Sequence, residues 1–232
     1  MAKKINFAMT SQDSVNRIQT ASDCIFAHAM EQTALTKAKK SATTVVENAL
    51  KEGYDGEISK LRDAIRKDET AVNPKVVEAL RDLARIDYKR SALRKWYKDS
   101  MDSATLYFRL DEIIDELGTA NTTLEKGVEK VDAILTAVYG LDKVAVATRR
   151  KFARRVYSAM DGQKKSSVTA TTKGKLTADR ARSEIKEVGI RAMCEYVAKT
   201  ANITLKTRED YTATVEYDRD LTTVTNYKFE EV

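Results

Sequence analysis

The stretch VNPKVVEALRDLARIDYKRSALRKWYKDS, residues 72–100, decides the fold class. Asn73 can cap a helix, Pro74 suits the first helical position, and Val72 is placed to pack on Val77 as a hydrophobic staple. Beyond that start, Ala79, Leu83, Ile86, Leu93 and Tyr97 recur at helical spacing as a core stripe, and no glycine or further proline intervenes before Ser100. The stretch therefore predicts a helix to about Ser100. Its composition is that of the chain as a whole: one proline and eight glycines in 232 residues leave long uninterrupted runs, filled by Ala, Lys, Glu, Arg and Leu.

On the N-terminal side, residues 11–52 also read as helix, but the apolar stripe moves. Val15, Ile18, Ala21, Ile25, Phe26 and Ala29 fall on one side and Leu35, Ala38, Ala42, Val45, Val46 and Ala49 roughly opposite. Either the helix breaks near Glu31 to Ala34, or one long helix meets different neighbours along its length. A short helix, Glu57 to Lys67, follows the turn-like Gly53-Tyr-Asp-Gly56. On the C-terminal side, helices are expected over Ser103 to Leu117, from Thr122 to near Gly140, and over Asp142 to Met160.

Character then changes. Residues 161–175 are rich in Lys, Ser, Thr and Gly and read as a linker or, over Ser167 to Thr172, a strand. Thr177 or Asp179 opens a helix to about Lys199 with an apolar stripe of Ile185, Val188, Met193 and Val197. Ile203 to Leu205, Tyr211 to Tyr217 and Thr223 to Phe229 alternate and read as strands, with Asp218 to Leu221 as a turn. The tyrosine face of Tyr211, Ala213, Val215 and Tyr217 is expected to cover the Ile185 to Val197 helix. The expected fold class is mainly α, with a small C-terminal α+β unit: an α-helical domain at 1–160, a basic linker or edge strand at 161–175, and the α+β unit, helix then antiparallel strands, at 176–232. No internal repeat is present.

Charge is distributed unevenly over this scaffold. The chain carries net +6, yet residues 143–175 alone hold ten basic residues (Lys143, Arg149, Arg150, Lys151, Arg154, Arg155, Lys164, Lys165, Lys173, Lys175) against Asp161, net +9. On the Asp142 to Met160 helix, Phe152 and Val156 mark the buried side, while Lys143, Arg150, Arg154 and Tyr157 gather near the opposite pole. A second cluster, Arg85 to Lys98, has six basic residues and one acid. There Arg85, Lys89 and Trp96 align away from the core stripe, and Trp96 is either a stacking surface for bases or is covered by another element.

Other chemistries find little support. Cys24 and Cys194 lie far apart without metal-ligand spacing, which fits a reducing compartment. No apolar segment follows Lys4 and no run reaches the roughly 18 apolar residues of a membrane span, so a soluble, unprocessed protein, cytoplasmic or otherwise intracellular, with no membrane partner is expected. Cys24, His28 and Glu31 share a helical face that lies opposite Ile18 and Ile25 and is expected to be exposed; without further ligands it is neither a metal site nor a nucleophile pair. The Asp111 to Glu116 acids supply too few ligands for a cation. Phosphate loops, dinucleotide fingerprints, nucleophile elbows and zinc-protease motifs are missing. No enzyme activity, cofactor or metal is expected.

The expectation is a non-catalytic nucleic-acid-binding protein, for RNA or DNA, gripping phosphates through the 143–175 segment with little sequence preference and stacking through Tyr157 or Trp96. Arg85 and Lys89 extend the candidate site. The alternative is a structural or adaptor protein that forms a homo-oligomer or docks on an acidic protein partner.

Overall fold

A computed structural model of the chain describes residues 12–108, 110–111, 125–126, 128–129, 132–133, 145–155, 178–200 and 202–232. The fold is mainly α. Helix α1 spans Gln12–Gly53, α2 Ile58–Lys67 and α3 Pro74–Phe108, with a 3-10 turn at Glu69–Ala71; residues 146–155 are helical, α4 spans Ala178–Thr200, and strands β1 (Tyr211–Tyr217) and β2 (Val224–Glu231) form an antiparallel hairpin. Among the described residues, no helix is long and apolar enough to cross a membrane.

Local signals set the element ends. The Lys75 N–H donates to Asn73 Oδ1 at 3.0 Å, and Val72 and Val77 are buried in one cluster, so both the cap and the staple form. After α1, the N–H groups of Tyr54 and Gly56 donate back to the Leu50 carbonyl, and Gly56 takes φ +78°, which favours glycine. Asp218 closes the hairpin: its carboxylate accepts from the Thr222 and Thr223 N–H groups and the Thr222 hydroxyl, and these bonds hold it below the usual carboxylate range.

Helix α1 does not break near Glu31. Its buried residues Ile18, Ala21, Cys24, Ala27, Glu31, Leu35, Ala42 and Val46 step by three, four or seven and keep to one half of the helix. The apolar stripe looked displaced because Cys24 and Glu31 occupy packed positions. Likewise α3 continues past Ser100 to Phe108, since Met101, Ala104, Thr105 and Phe108 prolong its buried face and no residue there stops a helix. The buried Thr105 hydroxyl is satisfied by donating to the Met101 carbonyl at 2.7 Å.

Contacts divide the chain into two units. The first combines Met1–Ile25 with Asp99–Lys206, the second Phe26–Lys98 with Thr207–Val232. In the first, Ile18, Phe108, Ile190, Met193 and Val197 are fully buried. Gly189 lets α4 approach Leu110 so closely that a Cβ there would lie 3.0 Å from Leu110 Cδ1. Lys206 pairs with Asp23 at 3.2 Å, tying the segment after α4 back to α1.

The second unit has two apolar clusters. Ala42, Val46, Leu61, Val72, Val76 and Val77 join α1, α2 and the start of α3. Ala27, Leu35, Ile86, Leu93 and Val215 join α1, α3 and the hairpin. The hairpin thus packs on α1 and α3, where Phe26 meets Phe229 with ring centroids 5.7 Å apart, and not on the Ile185 to Val197 helix as its tyrosine face suggested. The reason is long-range: two α-helices already present an apolar surface that the Val215, Tyr227 and Phe229 face can cover. Residues 203–207 add no third strand, and the Ser167 to Thr172 segment lies outside the described residues.

Candidate nucleic-acid interface

The 146–155 helix is the described part of the basic segment. It starts at Val146, where the Ala145 carbonyl accepts from the Thr148 and Arg149 N–H groups. At about 100° per residue, Arg149, Phe152 and Ala153 fall within one arc of about 100°, and these three are buried. Arg150, Lys151, Arg154 and Arg155 occupy the other side and are exposed.

The five cations differ in what they touch. Arg149 is 9% exposed and forks onto Asp132, with Nε 2.8 Å from Oδ1 and Nη2 3.3 Å from Oδ2, so this cation holds the unit together from inside. Its place three residues before Phe152 was the sequence sign of that role. Arg155 pairs with Glu195 of α4 at 2.6 Å. Arg150, Lys151 and Arg154 have no hydrogen bond or ion pair among the described residues. Lys143, Tyr157, Lys164, Lys165, Lys173 and Lys175 lie outside the described residues.

Between this helix and α4 runs a groove of about 200 Å³. Lys151, Phe152 and Arg155 line one side and Glu195, Tyr196 and Lys199 the other. The α4 residues had no part in the sequence expectation, because single polar residues on a helix carry no signal until a second helix is set beside them.

In the second basic cluster Arg85, Lys89 and Arg90 make internal contacts, whereas Arg94 and Lys95 are exposed with no ion pair among the described residues. Arg85 pairs with Glu78 at 2.8 Å and Asp82 at 3.3 Å. Lys89 is half-buried with its ammonium 5.2 Å from the centre of the Tyr217 ring. Trp96 is half-buried too, its ring centroid 5.8 Å from that of Tyr227. At Lys89 and Trp96 the face that projection turned away from the core is covered by the hairpin, so Trp96 belongs to a packed aromatic contact. Because Trp96 is the single tryptophan, Tyr227→Ala is expected to shift intrinsic emission to longer wavelength and to cost about 1 kcal/mol. Unchanged emission and stability would refute the docking of the hairpin on α3.

Cys24, His28 and Glu31 are not an exposed face. Cys24 and Glu31 are buried, and His28 stacks on Tyr97 at 3.8 Å between centroids. Burial pushes the Cys24 thiol up to about 11, the reverse of what a nucleophile needs. Glu31 accepts a hydrogen bond from the Tyr217 hydroxyl at 3.0 Å; burial first, then this carboxylate, raises the phenol well above its ordinary value. Cys24 and Glu31 were misplaced because α1 is packed along a face that projection of the apolar residues alone did not show. Among the described residues, no group of three or more His, Cys, Asp or Glu side chains is placed to hold a metal ion.

No known protein family, curated protein or solved structure matches this chain. Among the described residues the decisive contrast is between charges answered inside the fold, such as Arg149 and Arg85, and charges that are not, such as Arg150 and Arg154.

Proposed function

We propose that this protein binds nucleic acid, RNA or DNA, without catalysing a reaction, and does so inside the cell through the 143–175 segment. One observation carries this: Arg150, Lys151 and Arg154 are exposed on one helical stretch and have no counter-charge among the described residues. In the α3 cluster Arg85 and Lys89 are engaged within the fold, and the unpaired Arg94 and Lys95 lie outside the segment of net +9. Unpaired cations concentrated in a segment of net +9 create a field that attracts a polyanion and release its counterions on contact. Arg150 and Arg154, four residues apart, point the same way from the helix and suit successive phosphates.

The test is fluorescence anisotropy of labelled RNA and DNA at low and near-physiological salt, with Arg150→Glu, Arg154→Glu beside the unaltered protein. The variant is expected to bind at least tenfold more weakly at low salt, and the slope of log affinity against log salt should fall by about 2, one for each lost phosphate contact. Equal binding by the variant would place the site elsewhere. No binding of any nucleic acid at low salt would defeat the proposal in favour of an acidic protein partner or self-association.

A further inference from the structure

The groove beside the basic helix has a make-up that phosphate contacts alone do not require. From Thr148 on one side and Ala192 on the other, each helix contributes residues at i, i+3, i+4 and i+7, so a single face of each lines it. Phe152 and Ala192, both buried, form an apolar floor. Arg155 and Glu195 answer each other through their ion pair. The half-buried Tyr196 also lines the groove, as do two exposed ammonium groups, Lys151 and Lys199, and these two lysines make no ion pair among the described residues.

Size narrows the choice of ligand. At about 200 Å³ the groove is smaller than the roughly 300 Å³ at which pockets for whole small molecules begin. It suits one piece of a longer ligand. An aromatic ring and an apolar floor flanked by two lysines match one nucleotide of a strand, with the base against Tyr196 and the neighbouring phosphates on Lys151 and Lys199. A base reaches such a place only when it is free of a complementary strand, so a duplex can offer its phosphates to Arg150 and Arg154 but nothing to the groove.

We propose that the groove between residues 146–155 and α4 is a base-stacking subsite that makes this protein a binder of single-stranded nucleic acid. Tyr196 is the stacking surface and Lys151 and Lys199 are the phosphate contacts. This rests on the nucleic-acid proposal above and adds strandedness and a second helix to it.

The test titrates the full chain, at low salt, with four labelled probes of equal length: single-stranded RNA, single-stranded DNA, abasic single-stranded DNA and duplex DNA. Base-bearing single strands are expected to bind about tenfold more tightly than the abasic strand, since stacking on one aromatic ring is worth that much. The duplex should bind more weakly than the single strands. Tyr196→Ala is expected to remove the advantage over the abasic strand, Tyr196→Phe to retain it, and Lys151→Gln with Lys199→Gln to weaken all single strands. A preference between RNA and DNA identifies the natural strand and supports the subsite. If the unaltered protein binds the abasic and base-bearing strands equally, a comparison that needs no variant to fold, the subsite is overturned while the charge-based proposal stands. If none of the four probes binds, both fall.

Discussion

Arg149→Ala is expected to destabilise the protein by about 3 kcal/mol, whereas Arg150→Ala, one residue along, should change stability by less than about 0.5 kcal/mol. Removing the Arg149 guanidinium leaves Asp132, only 17% exposed, without the partner that binds both its oxygens. Most of the cost is the desolvation of a carboxylate that has lost its forked partner rather than the lost attraction itself. Arg150 is exposed and has no such partner among the described residues. Urea denaturation followed by far-ultraviolet circular dichroism measures both; Trp96 emission is the wrong probe, because Trp96 belongs to the other unit. Equal stabilities for the two variants would show that the Arg149 to Asp132 pair is dispensable. If the protein binds nucleic acid as proposed, the order should reverse in the binding assay: Arg150→Ala is expected to weaken affinity, and Arg149→Ala to act only through the fold that presents Arg150 and Arg154.

The second large effect is a loss of stability in alkali. Burial raises the thiol of Cys24 to about 11 and that of Cys194 to about 12, from an ordinary 9.0. A group whose proton is held more tightly in the folded chain contributes its full stability below the unfolded value. As pH rises past that value, the unfolded chain releases protons that the folded chain keeps, and stability falls. The window opens near pH 9 and runs to about pH 12. At 1.36 kcal/mol per pKa unit, the two thiols together should make the fold roughly 5 kcal/mol less stable at the top of that window than at its foot. Chemical denaturation across the range reads the slope, and Cys24→Ala, Cys194→Ala should flatten most of it. Tyr217, whose phenol is also raised, gives the same sign above its ordinary pKa of about 10 and persists in the variant. A slope unchanged by removing both cysteines would mean that neither thiol resists ionisation.

Both predictions turn on residues whose roles composition could not assign. Arg149 and Arg150 are adjacent and chemically identical, and both belong to the ten basic residues of the 143–175 segment. A helix turns about 100° between them, enough to send one into the core and the other to solvent. Periodicity contained that distinction, since Arg149 shares the Phe152 side, but local charge density did not. The partner that neutralises it, Asp132, lies in a different segment, and no local pattern names it.

The sequence by itself determined what depends on neighbours along the chain. The Asn73 cap with Pro74 begins α3, the Gly53 to Gly56 turn ends α1, and alternation over Tyr211 to Tyr217 gives a strand. These follow from backbone geometry and side-chain period within a few residues, as does the crowding of basic residues near position 150. Only tertiary structure decided which surfaces meet. It set the hairpin on α1 and α3, covered Lys89 and Trp96, buried Cys24 and Glu31, and laid Tyr196 and Lys199 beside Lys151. The physical reason is that burial and charge neutralisation are settled between segments distant in sequence, where each helix face has several possible partners and the period of one strand or helix says nothing about which it finds.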